Sequence, residues 1–435
     1  MIKGKTILQI VGLLCLIILA LLPFAYDIFP FLPPGLVNNY TLHILIISFY
    51  YAVLASSWAL LMGYAGQFSF AHMAFVGLAG YTTGMMGKFW GTGPLTGIIA
   101  GTIMAGIFGL IVGLLVLRLR STYLALFTIA FAEILRFVTN AEIYYTGGGN
   151  GLQMAPLLPN GLDLGFISFD SVNKIPPYFI MFALMLILVA FMSWLASTRF
   201  GLFLRAIRED EEAAAAMGVN VVRYKVLVFV ITSMVVGLVG GVRAHYITII
   251  SPNDMIILWM SLVITMSVLG GIESLVASAI GGIVIFVTLE YLKTNFATTS
   301  IMTVALTLIF GLILYQLGIY AAKRSGTVLK NKQKTMLSVS SAIVSLGISM
   351  VVAGPITTGI SNAYYDIFGS LLPDQIDMSD WRLVIFGLAL MLTLRFYQNG
   401  LLYPILQRIS RAGHLAETVA KRDAAGVMTE AEAGS

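Results

Sequence analysis

Apolar runs of about 20 residues recur along this chain, separated by short polar stretches. A membrane-spanning helix needs about 20 consecutive, mostly apolar residues. The runs are continuous rather than alternating, which favours helices over the strands of a closed barrel. The pattern predicts twelve candidate spans, near 6–26, 41–62, 70–87, 94–117, 122–139, 177–197, 226–247, 255–270, 276–290, 300–321, 337–354 and 381–397. The third, eighth and ninth are short or Gly-interrupted and read as half-helices or re-entrant segments. Lys3 and Lys5 precede the first run, and no A-x-A cleavage site follows it, so it reads as an uncleaved span rather than a signal peptide.

Two polar stretches break the rhythm. A loop at about 140–176 is rich in Gly, Pro and Asn and contains the run GGGNG. The stretch from Thr198 to Lys225 carries Arg199, Arg205, Arg208, Glu209, Asp210, Glu211, Glu212, Arg223 and Lys225 between two apolar runs. Within it, Arg205–Met217 has four consecutive Ala and no Gly or Pro, which predicts one helix. Gly218 fits its C-terminal cap, where a left-handed backbone is cheap for glycine. Arg205 with Glu209, and Arg208 with Glu212, have i,i+4 spacing. Ala206, Ala213 and Met217 fall near one stripe, with Ile207, Ala214 and Val219 beside it. Such a helix can dock in a partner's groove, its charges setting the register. A solvated helix lying at the headgroups fits the same residues.

Composition narrows the class. Of 435 residues, 59% are hydrophobic and only 10% charged, against about 25% charged in soluble domains. Such a chain cannot cover a water-facing surface, so the fold class is an all-α polytopic membrane protein. The net charge of +5 follows the positive-inside rule and is not a nucleic-acid footprint. With a cytoplasmic N-terminus, Arg118, Arg120, the 198–225 loop, the Lys323–Lys334 loop and the polar 403–435 tail are cytoplasmic. The outer side keeps Lys88, Lys174, Lys293 and Arg382. The single Cys15 excludes an internal disulfide. Leu14 before it is too large for a lipoprotein site.

Several polar residues fall at membrane depth. Gln67, Ser69 and His72 follow a Gly-rich, kinked stretch with Gly63 and Gly66. Unwound backbone at this depth is tolerated only inside protein or beside a cavity, which places them near a pathway; a satisfied buried His is the plainer reading of His72. Glu133 and Arg136 share one helical face and are expected to pair or to face the interior, as a structural or a gating pair. Arg243 reads as a snorkelling side chain near the outer end of its span. The four His are scattered, and no metal set or nucleophile triad appears. No G-x-x-x-x-G-K-[ST] is present, so the chain does not hydrolyse ATP itself.

The motifs together resemble one family. Arg205-Ala-Ile-Arg-Glu-Asp-Glu through Gly218-Val-Asn resembles the coupling loop of the M-type permease subunit of branched-chain amino acid ABC importers. Gly63-Tyr-Ala-Gly66-Gln67-Phe-Ser69-Phe-Ala-His72, continuing to Gly80-Tyr81-Thr82, resembles that family's G-x-x-G-Q-x-S-x-x-H pattern. Gly148-Gly149-Asn150-Gly151-Leu152 resembles its G-G-x-N-G-L loop, and Leu269-Gly-Gly-Ile-Glu-Ser274 its L-G-G-x-G-S turn. Asp380-Trp-Arg382 through Gly400-Leu-Leu402 resembles its last span. Phe68, Phe70, Ala71 and Glu273 depart from the usual choices, and about 295–370 reads as an inserted helical hairpin.

The resemblance implies a type II-like importer permease with about ten family spans plus a two-span insertion, in a cell's inner membrane. It implies a homologous second permease subunit, two ATP-binding subunits and an extracytoplasmic binding protein. ATP and Mg would sit on the ATPase, and this chain would hold no cofactor. Arg205, Ala206, Ile207, Arg208, Glu209, Asp210, Ala213, Ala214 and Gly218 would couple to the ATPase. Gly66, Gln67, Ser69, His72, Tyr81, Glu133 and Arg136 would line the translocation path, and Gly148, Gly149 and Asn150 would face the binding protein. The implied cargo is branched-chain or other apolar amino acids; relatives move urea, short amides and small carboxylates. The rival of another class is a stand-alone secondary transporter, for which Glu133 and Glu290 are the candidate proton carriers.

Overall fold

A computed structural model of the chain describes residues 16–24, 38–116, 121–157, 162–163, 168–169 and 174–295. The described helices are α1 Asn39–Ala59, α2 His72–Trp90, α3 Pro94–Val116, α4 Ser121–Ala141, α5 Ile175–Ser197, α6 Arg199–Glu209, α7 Glu211–Ala216, α8 Val221–Ile247, α9 Ile257–Gly270 and α10 Leu275–Asn295. Short helical turns, including Leu60–Tyr64 and Pro252–Met255, link some of them. The chain divides into two units, Met1–Val287 with Thr393–Ser435, and Thr288–Leu392. The site elements belong to the first.

Five described stretches are long and apolar enough to cross a membrane: Asn39–Tyr64, Pro94–Leu115, Tyr123–Ala141, Ile175–Ser197 and Val221–Ile247. This is an all-α multi-pass membrane protein. The spans expected near 300–321, 337–354 and 381–397, the 403–435 tail, and all of the 295–370 insertion except Asn295 lie outside the described residues.

Burial separates two kinds of helix. The apolar window of α1 is wholly buried, whereas those of α4 and α5 are 22% and 33% buried. α1 is therefore central, and the others show apolar faces outward, as lipid-facing helices do. α8 packs on α2 and α3, and α1 on α5. Small residues allow these close approaches. On α3, a Cβ at Gly101 would meet the Ala79 carbonyl of α2 at 2.6 Å.

Of the three spans expected to be short or interrupted, two are not. The third span is an unbroken 19-residue helix, α2; the break precedes it, at residues 65–71. The ninth is also continuous in α10. Its Gly281 and Gly282 lie against Gly270 and the Ala52 backbone, so they serve packing rather than interruption. α9, with 14 residues, rises only about 21 Å, short of a hydrocarbon core of about 30 Å. It fits the half-length expected of the eighth.

Strand is minimal. β1 Leu152–Gln153 pairs antiparallel with β4 Ile249–Ile250, and β2 Leu162–Asp163 with β3 Ser168–Phe169. The first pair pins the GGGNG loop to the end of α8. Gly151, at φ +77, leaves no room for a Cβ, which would lie 2.5 Å from the Ile250 carbonyl. Beneath it Tyr81, Leu152, Ala244, Ile250 and Met255 form a buried cluster.

Candidate functional site

α1 does not end cleanly. It passes into a wide turn at Leu60–Tyr64 and then into non-helical backbone up to Ala71, deep inside the bundle. Gly66 sets this path, with φ +67. Buried backbone without a helical partner costs free energy unless something else bonds it. Here side chains do so. Trp58 Nε1 donates to the Ser69 carbonyl at 3.0 Å, and the Phe70 N–H donates to Thr128 Oγ1 of α4 at 3.0 Å. The Ala71 N–H donates to Ser69 Oγ at 3.1 Å. Phe68 meets Trp58 edge-on at 5.4 Å and Phe70 at 5.3 Å, so the two unusual aromatics fill the bend's flank.

Gln67 and His72 sit in this bend, 4% and 1% exposed. Ser57 Oγ lies 3.4 Å from His72 Nε2. Gln67 Oε1 and His72 Nδ1 are buried with no hydrogen-bond partner. Buried polar atoms normally have partners, and these two, five residues apart, are exceptions within the bend.

The charged stretch lands on the same bend. α6 buries Gly201, Leu204 and Ile207 on one side. Arg208 Nη1 donates to the Gly63 carbonyl, which the loosened turn leaves open. A Cβ on Gly66 would lie 3.1 Å from Arg208 Cγ, so glycine there makes room for α6. The Arg205 guanidinium lies 4.6 Å from the Tyr64 ring centroid, a cation–π distance. The turn between α9 and α10 closes the junction: Tyr64 Oη donates to the Glu273 carbonyl at 3.3 Å, and the Ile272 carbonyl faces the Cα of Gly63. Glu273 is exposed and not among the positive-φ residues, which explains why a glycine is unnecessary there.

The single helix expected over Arg205–Met217 is two helices. Asp210 is extended, at φ −155 and ψ 110, and its carboxylate accepts from the Glu212 and Ala213 N–H groups at 3.0 Å each. Aspartate is a weak helix former and a strong N-cap, so it ends α6 and starts α7. Gly218 does take the left-handed cap, at φ +84. Neither expected i,i+4 pair forms. Arg208 bonds Glu209 at 2.7 Å and Gly63, while Lys225 reaches Glu211. Such helix-surface pairs stabilise by only about 0.2–0.5 kcal/mol and lose to tertiary partners. The two stripes part: Ile207 and Ala214 face the bundle, whereas Ala206, Ala213 and Met217 are exposed, Met217 by 85%.

Gly66, Gln67, Ser69, His72, Arg205 and Arg208 thus gather at one junction. Tyr81 does not; it lies in the cluster beneath β1 and β4, its hydroxyl buried and unpartnered. Glu133 and Arg136 pair with each other at 2.7 Å on α4, with side chains 29% and 23% exposed. Gly148 is buried, whereas Gly149 and Asn150 are exposed in the loop. Arg243 corrects the snorkelling expectation. Its side chain is 15% exposed, bonds Asp254 at 3.1 Å and lies 5.2 Å from the Tyr50 ring centroid. A carboxylate from a neighbouring turn holds it inside. Sequence reading missed Arg243–Asp254, Trp58 and Thr128, which no local spacing marks; Gly63 and Tyr64 lay within a recognised motif.

Among the described residues no group of His, Cys, Asp and Glu can hold a metal. The described chain is a multi-pass helical membrane bundle whose buried unwound segment is braced by a charged surface helix. Residues 40–314 match the family described as branched-chain amino acid transport system / permease component, and the chain belongs to it. It is 26% identical over 348 residues to the high-affinity branched-chain amino acid transport system permease protein LivM of Escherichia coli (strain K12), covering 76% of this chain and 79% of that one. The protein of the same name from Salmonella typhimurium is 24% identical, with 67% and 70% covered. A probable branched-chain amino acid transport permease protein LivM from Methanocaldococcus jannaschii is 25% identical, with 44% and 56% covered. No solved structure matches.

Proposed function

We propose that this chain is the membrane subunit of an ATP-driven importer and passes branched-chain or other apolar amino acids. A binding protein delivers the cargo on one side, and two ATP-binding subunits act on α6 and α7 from the other. A homologous second permease completes the pathway. The chain lies in the inner membrane with both termini cytoplasmic, which puts the Arg- and Lys-rich end of the bundle inside.

The observation that carries this reading is the contact between Arg208 and the Gly63 carbonyl. It fixes the charged helix to the backbone break that holds Gln67 and His72. A partner that pushes or pulls α6 therefore moves the interior break directly. The exposed row Ala206, Ala213 and Met217 is the face left for that partner, with Glu209 and Glu211 at its edge. ATP hydrolysis belongs to the partner.

The test is reversal of Arg205 and Arg208 to Glu. Uptake of leucine in proteoliposomes is expected to fall at least tenfold, while membrane insertion of the chain is unchanged. Wild-type uptake and ATPase assembly in this variant would sink the coupling role. The secondary-transporter reading makes the opposite demand, uptake by the chain alone under a proton gradient. Its candidate carrier Glu133 is occupied by Arg136.

A further inference from the structure

A cavity lies at the far end of the bundle from α6. α2 starts at His72 beside the junction, and Lys88 is about 24 Å further along it at 1.5 Å per residue. Around Lys88 the C-terminal turns of α2, the strand β1 and the end of α8 enclose about 430 Å³. That lies within the range of about 300–1,000 Å³ for small-molecule sites.

Glycine makes this space. A Cβ on Gly87 would meet nothing closer than the Thr92 carbonyl at 3.8 Å, and one on Gly91 nothing within 4 Å. Most glycines in the bundle are explained by a neighbouring helix; Gly87 is not. A glycine inside a helix costs roughly 0.5–1 kcal/mol against alanine, so leaving an open wall there calls for a reason outside packing.

The walls carry a sorted set of groups. Lys88 is exposed, and its ammonium lies 3.4 Å from the Tyr144 carbonyl and 5.2 Å from the Phe89 ring centroid. Three N–H donors on that nitrogen leave capacity for an anion. Thr92 Oγ1 is buried away from the space, whereas the exposed Gln153 offers its amide on the same wall. Met154 and Ala155 add apolar surface. His245 is fixed: its Nδ1 lies 2.7 Å from the Ala155 carbonyl, so it donates there, and its Nε2 lies 2.8 Å from Thr83 Oγ1. It is a rigid wall with both nitrogens used.

We infer that this cavity is the receiving site for a free apolar α-amino acid, its carboxylate held by Lys88, its ammonium by the Gln153 side-chain carbonyl, and its side chain against Met154 and Ala155. The inference rests on the proposed importer function for its place in transport, since α-amino acids are the cargo proposed there. The cavity stands where cargo handed over opposite the ATPase side first meets this chain.

Cysteine labelling tests it on the full-length chain in nanodiscs. Cys15 is the chain's one cysteine, so Cys15→Ser gives a clean background. Gly87→Cys adds a thiol into open space. Leucine is expected to slow its modification by sulfonatoethyl methanethiosulfonate at least fivefold. Isoamylamine, which has the same side chain without the carboxylate, is expected to leave the rate unchanged. Gly93→Cys, outside the cavity, controls for global effects and is expected to label equally with and without leucine. Adding Lys88→Gln is expected to raise the half-protecting leucine concentration roughly tenfold, the effect of losing one charge-assisted contact. No protection at Gly87→Cys, or equal protection by isoamylamine, overturns the site. Uptake separates the two ideas. If wild type imports leucine but leucine does not protect, the site is wrong. If leucine protects but wild type does not import it, the function is wrong and the site stands.

Discussion

Gly66 is held by two constraints at once, a left-handed φ of +67 and the Arg208 side chain against its open face. Any side chain there meets both. Gly66→Ala is expected to destabilise by about 1–2 kcal/mol from the backbone alone, seen as a lower Tm in detergent, and to push α6 off the bend. Arg208→Ala removes the contact without the strain. It also leaves the buried Gly63 carbonyl without a donor, at about 1–3 kcal/mol, so both uptake and Tm should fall. Arg243 is different in kind. Its Nε and Nη1 are buried and unpartnered, and one carboxylate holds it. Removing either partner strands a buried charge. Arg243→Ala or Asp254→Ala should each cost about 3 kcal/mol, and the double variant less than the sum, by thermal unfolding of the purified chain.

Among the elements, α6 and α7 show what a sequence can and cannot disclose. The charged island, its helical content and its Gly218 stop were legible, because propensity and caps act over a few residues. The break at Asp210 was legible in principle and was overridden by the run of alanines around it. Arg208–Gly63 and β1–β4 were not legible because each joins residues distant in the chain, and Arg243–Asp254 because it crosses an irregular turn whose path no helix or strand spacing encodes. The motif GYAGQ was visible as a pattern, but its physical meaning came only with the Ile272 carbonyl on one side and Arg208 on the other. Asp210→Ala is expected to cost α7 about 1 kcal/mol of capping and to fuse the two helices into one. Spin labels at Ala206 and Met217 should then report a longer, narrower distance distribution, with weaker ATP-driven uptake.

At the scale of the described bundle, α1 is buried and the apolar sides of α3, α4 and α5 face outward. The charged helix α6 lies toward one end, on the buried bend, and the Gly87 cavity lies toward the other. Copurification is the matching test. ATP-binding subunits are expected to accompany the wild-type chain, and uptake to require them; uptake by the chain alone would overturn the ATP-driven reading. The unwound segment between α1 and α2 also has a kinetic consequence. Gly66 and Gln67 N–H still donate to the Met62 and Leu61 carbonyls, but the backbone of residues 69–71 is held by Trp58, Thr128 and Ser69 side chains. Side-chain bonds can be exchanged by rotamer changes, which take picoseconds to nanoseconds when unhindered, whereas melting a helix must break consecutive bonds together. Displacing residues 69–71 would therefore exchange side-chain bonds one at a time and melt no turn of helix.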